Sequence, residues 1–151
     1  MKIYIASSYG FSEAGRHFYY GKLIPILKNL GFEVLDPWDT DLKDPSEIGK
    51  RNEGLIKQCD ILLACIDGVD IDSGVAAEIG FARALDKYIL AYRGDFRKAS
   101  DNDQGEINLQ VEYFIKEKGI IVYNLNSLEY MLKEIKKSTD YGKLNNFKSL
   151  R

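Results

Sequence analysis

Short apolar runs alternate with stretches of helical spacing from one end of the chain to the other. The run "KIYIAS" (Lys2–Ser7) predicts a first strand. From Ser12 the apolar positions recur at helical spacing as far as Gly31, a residue suited to a helix C-cap. Pro25 lies within that stretch, so a kink or two helical pieces is expected there. "FEVLDP" (Phe32–Pro37) predicts a second strand, closed by a polar loop through Asp44. Asp44-Pro45, an N-cap type followed by proline at the first helical position, opens a helix to about Gln58. "DILLACID" (Asp60–Asp67) is apolar without alternation, as a central parallel strand covered on both faces should be. Ser73 is expected to cap the next helix, and "YILAY" (Tyr88–Tyr92) to form the fourth strand. Residues 93–108 are polar and long for a connection, which predicts a functional or mobile loop. A helix ending at Gly119, a fifth strand "IIVYNL" and a helix over Ser127–Lys137 complete the pattern.

These βα units, without repeats or linkers, predict one α/β domain over residues 1–138. The expected architecture is a doubly wound, five-stranded parallel sheet of flavodoxin-like order 2-1-3-4-5 with helices on both faces. Residues 139–151 predict a polar C-terminal tail, packed through Leu144, Phe147 and Leu150. In such sheets ligands gather at the carboxyl ends of the strands, near the point where strand order reverses. That rule selects Ser7–Phe11, Asp67–Ser73, Arg93–Asn108 and the segment after Asp36.

Composition narrows the chemistry. With 45% hydrophobic and 29% charged residues, a chain of 151 residues can bury a core and is not a disordered tract. A net charge of −2 argues against a nucleic-acid or anionic-membrane surface, which needs a basic field. No apolar stretch approaches the roughly 20 residues of a membrane span, and a cytosolic location with no nucleic-acid or membrane partner is expected. Two cysteines and one histidine make a zinc or iron site improbable, so no metal or organic cofactor is expected. Cys59 and Cys65 read as reduced structural thiols, and His17 as a helix-surface residue.

Familiar nucleotide motifs are missing. "SSYGFSEAG" after the first strand lacks GxGxxG spacing, and neither GxxxxGK[ST] nor GxSxG occurs. A receiver-type acidic pair would stand where Ser7 and Ser8 are. These serines, with Tyr9, place hydroxyls at the mouth of the expected pocket, suited to a sugar or a phosphate. The informative stretch is "DIDSGVAAEIGFARALDK" (Asp70–Lys87), with Asp72 in a turn and Glu78 six positions on in the second helical turn. Gly74, Ala76 and Ala77 leave the helix start narrow enough for a planar ligand to approach. One nucleophilic and one proton-handling carboxylate are what glycosyl transfer with retention requires. Half-buried, Glu78 would be poorly hydrated and more nucleophilic, with the helix's positive end helping to keep it ionised. The same residues also fit a plainer role, with Asp72 an N-terminal cap and Glu78 a solvated helix residue.

The stretch "DGVDIDSGVAAEIGFARALDK" resembles the signature of the nucleoside 2-deoxyribosyltransferase family, Asp-x-Gly-x-x-x-Glu-x-Gly-x-Ala. "IYIASSYGFSE", "RNEGLIKQCDILLACID" and "NLQVEYF" resemble three further family segments in the right order, and together they span most of residues 2–115. The resemblance implies that Glu78 attacks C1′ of a 2′-deoxyribonucleoside, giving a covalent deoxyribosyl-enzyme that a second base resolves with net retention. It implies that Asp72 binds and helps to protonate the nucleobase, and that the Tyr4 hydroxyl contacts the nucleophile. Ser7, Ser8, Tyr9, Phe11, Gly74 and Gln110 fall in segments expected to bind substrate. Asn108 matches an asparagine that a neighbouring subunit supplies to the sugar site, which implies a homo-oligomer.

The chain departs from the pattern at Asn52, where some members carry an aspartate. An amide cannot ionise or deliver a proton, and Asp95 of the long loop is a candidate substitute; a solvated aspartate beside Arg93 and Arg97 fits it equally. Relatives that hydrolyse deoxynucleoside 5′-monophosphates share the signature and use first-loop serines for phosphate, so Ser7, Ser8 and Ser12 keep that activity open. A nucleotide-sensing module without catalysis is a third possibility. It would keep its ligand affinity when Glu78 is replaced.

Overall fold

Alternate residues of the central strands face two separate apolar layers, and both must be covered by helices. In the computed structural model, which describes residues 1–138, five strands carry this pattern: β1 (Lys2–Ala6), β2 (Glu33–Leu35), β3 (Ile61–Cys65), β4 (Tyr88–Tyr92) and β5 (Gly119–Val122). They pair in parallel in the order β2-β1-β3-β4-β5, as the sequence predicts. The tail from residue 139, with Leu144, Phe147 and Leu150, lies outside the described residues.

Among the described residues there are six α-helices: α1 (Glu13–Phe18), α2 (Ile24–Asn29), α3 (Pro45–Gln58), α4 (Ser73–Ala84) and α5 (Leu109–Lys118) lie between strands, and α6 (Leu125–Lys137) follows β5. Ile3, Ile5, Ile61, Leu63 and Leu90 pack against Leu23 and Leu27 on one side and Leu128, Met131 and Leu132 of α6 on the other flank of the same face. Tyr4, Ala6, Leu62, Ala64 and Ile89 face the opposite layer, built from Ile56 of α3, Val75 and Ile79 of α4, and Val111 and Ile115 of α5. Tyr4 pairs with Leu35 on one side and Leu62 on the other, which fixes its ring toward the α3–α4 layer. Among the described residues, no helix is long and apolar enough to cross a membrane.

Around Pro25 the stretch divides into two α-helical pieces, one of the expected outcomes, with Pro25 in the first turn of α2. Between α1 and α2 the chain runs on as a π-helical segment, Tyr19–Leu23, and this wider turn accommodates a residue that has no N–H and crowds the preceding carbonyl. Gly31 then ends the run at φ 76°, with Phe32 N–H bonded to Leu27 O at 3.1 Å and Gly31 N–H to Lys28 O at 2.9 Å. The cap of α4 is Asp72 rather than Ser73, its carboxylate accepting from the Val75 N–H at 3.1 Å. Finally, α6 begins at Leu125 because the Asn124 side chain caps it, so the fifth strand stops at Val122.

Candidate active site

At the carboxyl ends of β1 and β2, beside the reversal of strand order, lies a cavity of about 520 Å³. Ser7 and Phe11 come from the turn after β1. Pro37, Trp38, Thr40, Leu42 and Lys43 come from the loop after β2, Ile48 and Asn52 from α3, and Asp72, Gly74, Val75 and Glu78 from the start of α4.

Glu78 lines the cavity, and its hydrogen-bond partner comes from a different element behind the wall. Tyr4, fully buried in β1, donates its hydroxyl to Glu78 Oε1 at 2.5 Å. A strand residue can meet a helix residue here because α4 packs over the β1 layer through Val75, Ile79 and Ala82, with Ala76 partly buried beside them. Burial pushes the Glu78 carboxyl above its ordinary value; the Tyr4 hydrogen bond opposes that shift and the neighbouring Asp72 charge adds to it. The Tyr4 hydroxyl is itself pushed up, by burial first and then by the Glu78 charge, so it stays a proton donor. The helix's positive end contributes little at Glu78, since its influence fades within the first turn and Glu78 lies in the second. The Tyr4 hydrogen bond is what favours the ionised form, against the larger effect of burial.

Asp72 fills two positions at once. It caps α4 and lines the cavity, close enough to Glu78 for its charge to be felt there. Asn52 also lines the cavity, and its Oδ1 has no hydrogen-bond partner among the described residues although it is buried. The indole N–H of Trp38, another lining residue, is likewise without a partner. Polar atoms in this condition are costly unless a ligand satisfies them.

Of the residues singled out in the sequence, the fold brings Tyr4, Ser7, Phe11, Asn52, Asp72, Gly74 and Glu78 together. Others lie elsewhere. Ser8 opens a short 3-10 turn and is absent from the cavity wall, and the Tyr9 hydroxyl turns away to Asp67 Oδ2 at 2.6 Å. Asp95 does not stand in for a carboxylate at Asn52. It lines a separate hollow of about 150 Å³ with Arg93 and Arg97, and its hydrogen bonds with Arg97 hold its carboxyl well below the usual range. Asn108 caps α5, accepting from the Gln110 and Val111 N–H groups, and lies outside this chain's own cavity, as does the exposed Gln110. His17 is exposed on α1, and among the described residues no cluster of His, Cys, Asp or Glu is arranged to hold a metal ion.

Sequence reasoning marked the segment after Asp36 but named no residue within it. The loop supplies five of the cavity's residues, and the signal for it was the chain's single tryptophan, Trp38, standing in a polar connection right after a strand.

The nucleoside 2-deoxyribosyltransferase family model matches residues 3–126, which include every residue of the cavity. The chain belongs to this family. No curated protein matches it. Among solved structures, a conserved protein from Enterococcus faecalis V583 is 25% identical, covers 89% of this chain and 98% of its own, and superposes with a TM-score of 0.76. A 2-desoxiribosyltransferase from Leishmania mexicana is 23% identical over 87% of this chain and 97% of its own, with a TM-score of 0.72. A CMP N-glycosidase from Clostridium botulinum, 18% identical over 91% and 100%, has a TM-score of 0.56. The last two likenesses show a common fold.

Proposed function

We propose that this family member exchanges the nucleobase of 2′-deoxyribonucleosides through a covalent deoxyribosyl intermediate on Glu78. The observation that carries the reading is that Glu78, held by the buried Tyr4 hydroxyl, lines a cavity that also presents Asp72. An Oε atom of Glu78 attacks C1′ as the bond from C1′ to the base nitrogen breaks, its electron pair leaving with the base. Tyr4 orients the carboxylate and favours its ionised form, so the attacking group is available despite burial. Asp72 faces the departing base and handles the proton that base must take up. A ring nitrogen of a second base then attacks C1′ as the C1′–Glu78 bond breaks, the incoming base yields its proton to Asp72, and two inversions give retention. Neither step calls for a metal or an organic cofactor.

Asn108 is assigned to the site of a neighbouring copy, so the active form is a homo-oligomer. Its position supports this, since it reaches no wall of its own cavity while Leu109 and Tyr113 beside it are half exposed. Hydrolysis of a 5′-monophosphate is the second reading, and the first-loop serines weigh against it. Ser12 Oγ is committed to the Gly15 N–H at the start of α1, Ser8 lies outside the cavity, and Ser7 alone lines it.

Incubating 2′-deoxyinosine with adenine tests the proposal. New 2′-deoxyadenosine is the expected product. Hypoxanthine and free deoxyribose alone would mean water is the acceptor, and no turnover of nucleosides or monophosphates would favour a sensing role.

A further inference from the structure

We propose that Arg51 is a positioning residue for the aromatic wall of the cavity, holding Trp38 where a planar nucleobase packs; this rests on the reading of the cavity as a deoxynucleoside site. Arg51 lies on α3 next to Asn52 and spends its guanidinium on the backbone of the loop after β2. Its Nη1 donates to Pro37 O at 3.2 Å, and its Nη2 to Asp36 O at 3.2 Å and to Asp39 O at 2.8 Å. The three carbonyls flank Trp38 on both sides. A planar fork with several donors can serve all of them at once, whereas an ammonium on a flexible stem cannot hold that geometry.

The rest of the loop's anchorage converges on the same residue. Asp36 Oδ1 accepts from the Trp38 N–H at 2.9 Å and from the Tyr19 hydroxyl at 2.7 Å. The Phe11 ring meets the indole edge-on, with centroids 4.8 Å apart. Gly10 lies so close that a Cβ there would sit 2.2 Å from the indole. Thus one aromatic ring is fixed by a cation from α3, a carboxylate from the end of β2 and the turn after β1. Beyond Asp39 the loop carries Thr40, Leu42 and Lys43 to the cavity rim, so the placement of Trp38 also sets where this rim begins. Arg51 has no hydrogen bond to Tyr4, Asp72 or Glu78 among the described residues; only its charge is felt at the Tyr4 hydroxyl, and its donors all go to the loop.

The chain has a single tryptophan, so its intrinsic tryptophan fluorescence reports on this wall alone. Arg51→Ala and Arg51→Lys, each checked for folding by circular dichroism, should shift Trp38 emission to the red and raise its acrylamide quenching constant about twofold or more. In the exchange assay KM for the acceptor base should rise about fivefold or more, while kcat stays within about twofold. If Arg51→Ala fails to fold, Arg51→Lys carries the test. Unchanged emission and KM, or a fall in kcat at constant KM, would overturn the assignment. If the wild-type protein exchanges no base at all, the functional reading fails by itself. The emission and quenching of the variants, and quenching of the wild-type protein by free adenine, then decide the role of Arg51.

Discussion

Glu78 is at once the most useful and the least comfortable side chain in the molecule. Burial raises its folded-state pKa, so the protonated form is favoured on folding and the ionised form is penalised. The stability it contributes is therefore fully present below the ordinary carboxylate value and is lost as pH rises through the raised one. Glu78→Gln keeps an acceptor for the Tyr4 hydroxyl and removes the charge. It should raise Tm at pH 7 by a few degrees, with the gap to wild type closing as pH falls below about 4.3, and cut base exchange on the order of 10³-fold or more. Thermal melts across pH and the exchange assay check both halves; a variant that exchanges bases normally would remove Glu78 from the chemistry. Tyr4 gives the complementary test. Its hydrogen bond lowers the Glu78 pKa against the burial effect, so Tyr4→Phe should move the acid limb of the kcat/KM profile to higher pH. An unmoved limb in the variant would mean that another group keeps Glu78 ionised. Asp72 and Glu78 stand out in the sequence because they share one motif with chemically demanding spacing, whereas Tyr4 is marked only by the family resemblance of its strand. Arg51 is marked by neither, because its partners are main-chain carbonyls of residues 36, 37 and 39, and no pattern of side chains records them.

At the level of elements, the aromatic wall depends on how closely the turn after β1 and the loop after β2 approach. Gly10 allows that approach, and Gly10→Ala would drive a methyl group into the indole of Trp38. Overpacking of this kind costs about 1–3 kcal/mol, and here the strain falls on a residue of the cavity. The expected outcome is a lower Tm together with weaker acceptor-base binding and displaced Trp38 emission. A variant that loses stability while keeping KM and emission would show that the loop can retreat without disturbing the wall. The strands and most helices were readable beforehand because their signals are local. A continuous apolar run marks β3, and Asp44-Pro45 marks the start of α3. The π-helical turn before Pro25 was not readable, since proline predicts a disturbance but not the route by which packing absorbs it. The cap of α4 lies one residue before the expected Ser73 for a similar reason. Asp72 and Ser73 are both good caps, and only the backbone shows that Asp72 is still extended while Ser73 is helical.

The molecule as a whole places its chemistry where a doubly wound sheet should, beside the reversal between β1 and β3, yet one expected participant faces outward. Asn108 is engaged at the head of α5, with Nδ2 bonded to Asp101 Oδ2 at 2.9 Å. On the same helix Leu109 and Tyr113, one turn apart, remain 48% and 51% exposed, a natural seam for a second copy. If each site takes Glu78 from one subunit and Asn108 from its neighbour, two inactive variants should rescue one another. Asn108→Ser suits this purpose, because a serine keeps the cap of α5 while removing the amide donor. Glu78→Gln supplies the other partner. Mixed in equal amounts and allowed to exchange subunits, the two should recover about a quarter of wild-type activity, since half the sites have an intact Glu78 and half of those face an intact Asn108. No recovery from variants that co-assemble, or full activity in a monomeric wild-type protein, would confine the site to one chain and leave Asn108 a helix cap. The same reasoning explains why the proposed role of Asn108 is suggested only by family resemblance. A residue that works across an interface leaves no mark on the hydrophobic pattern of its own domain, and its own fold gives it a different task.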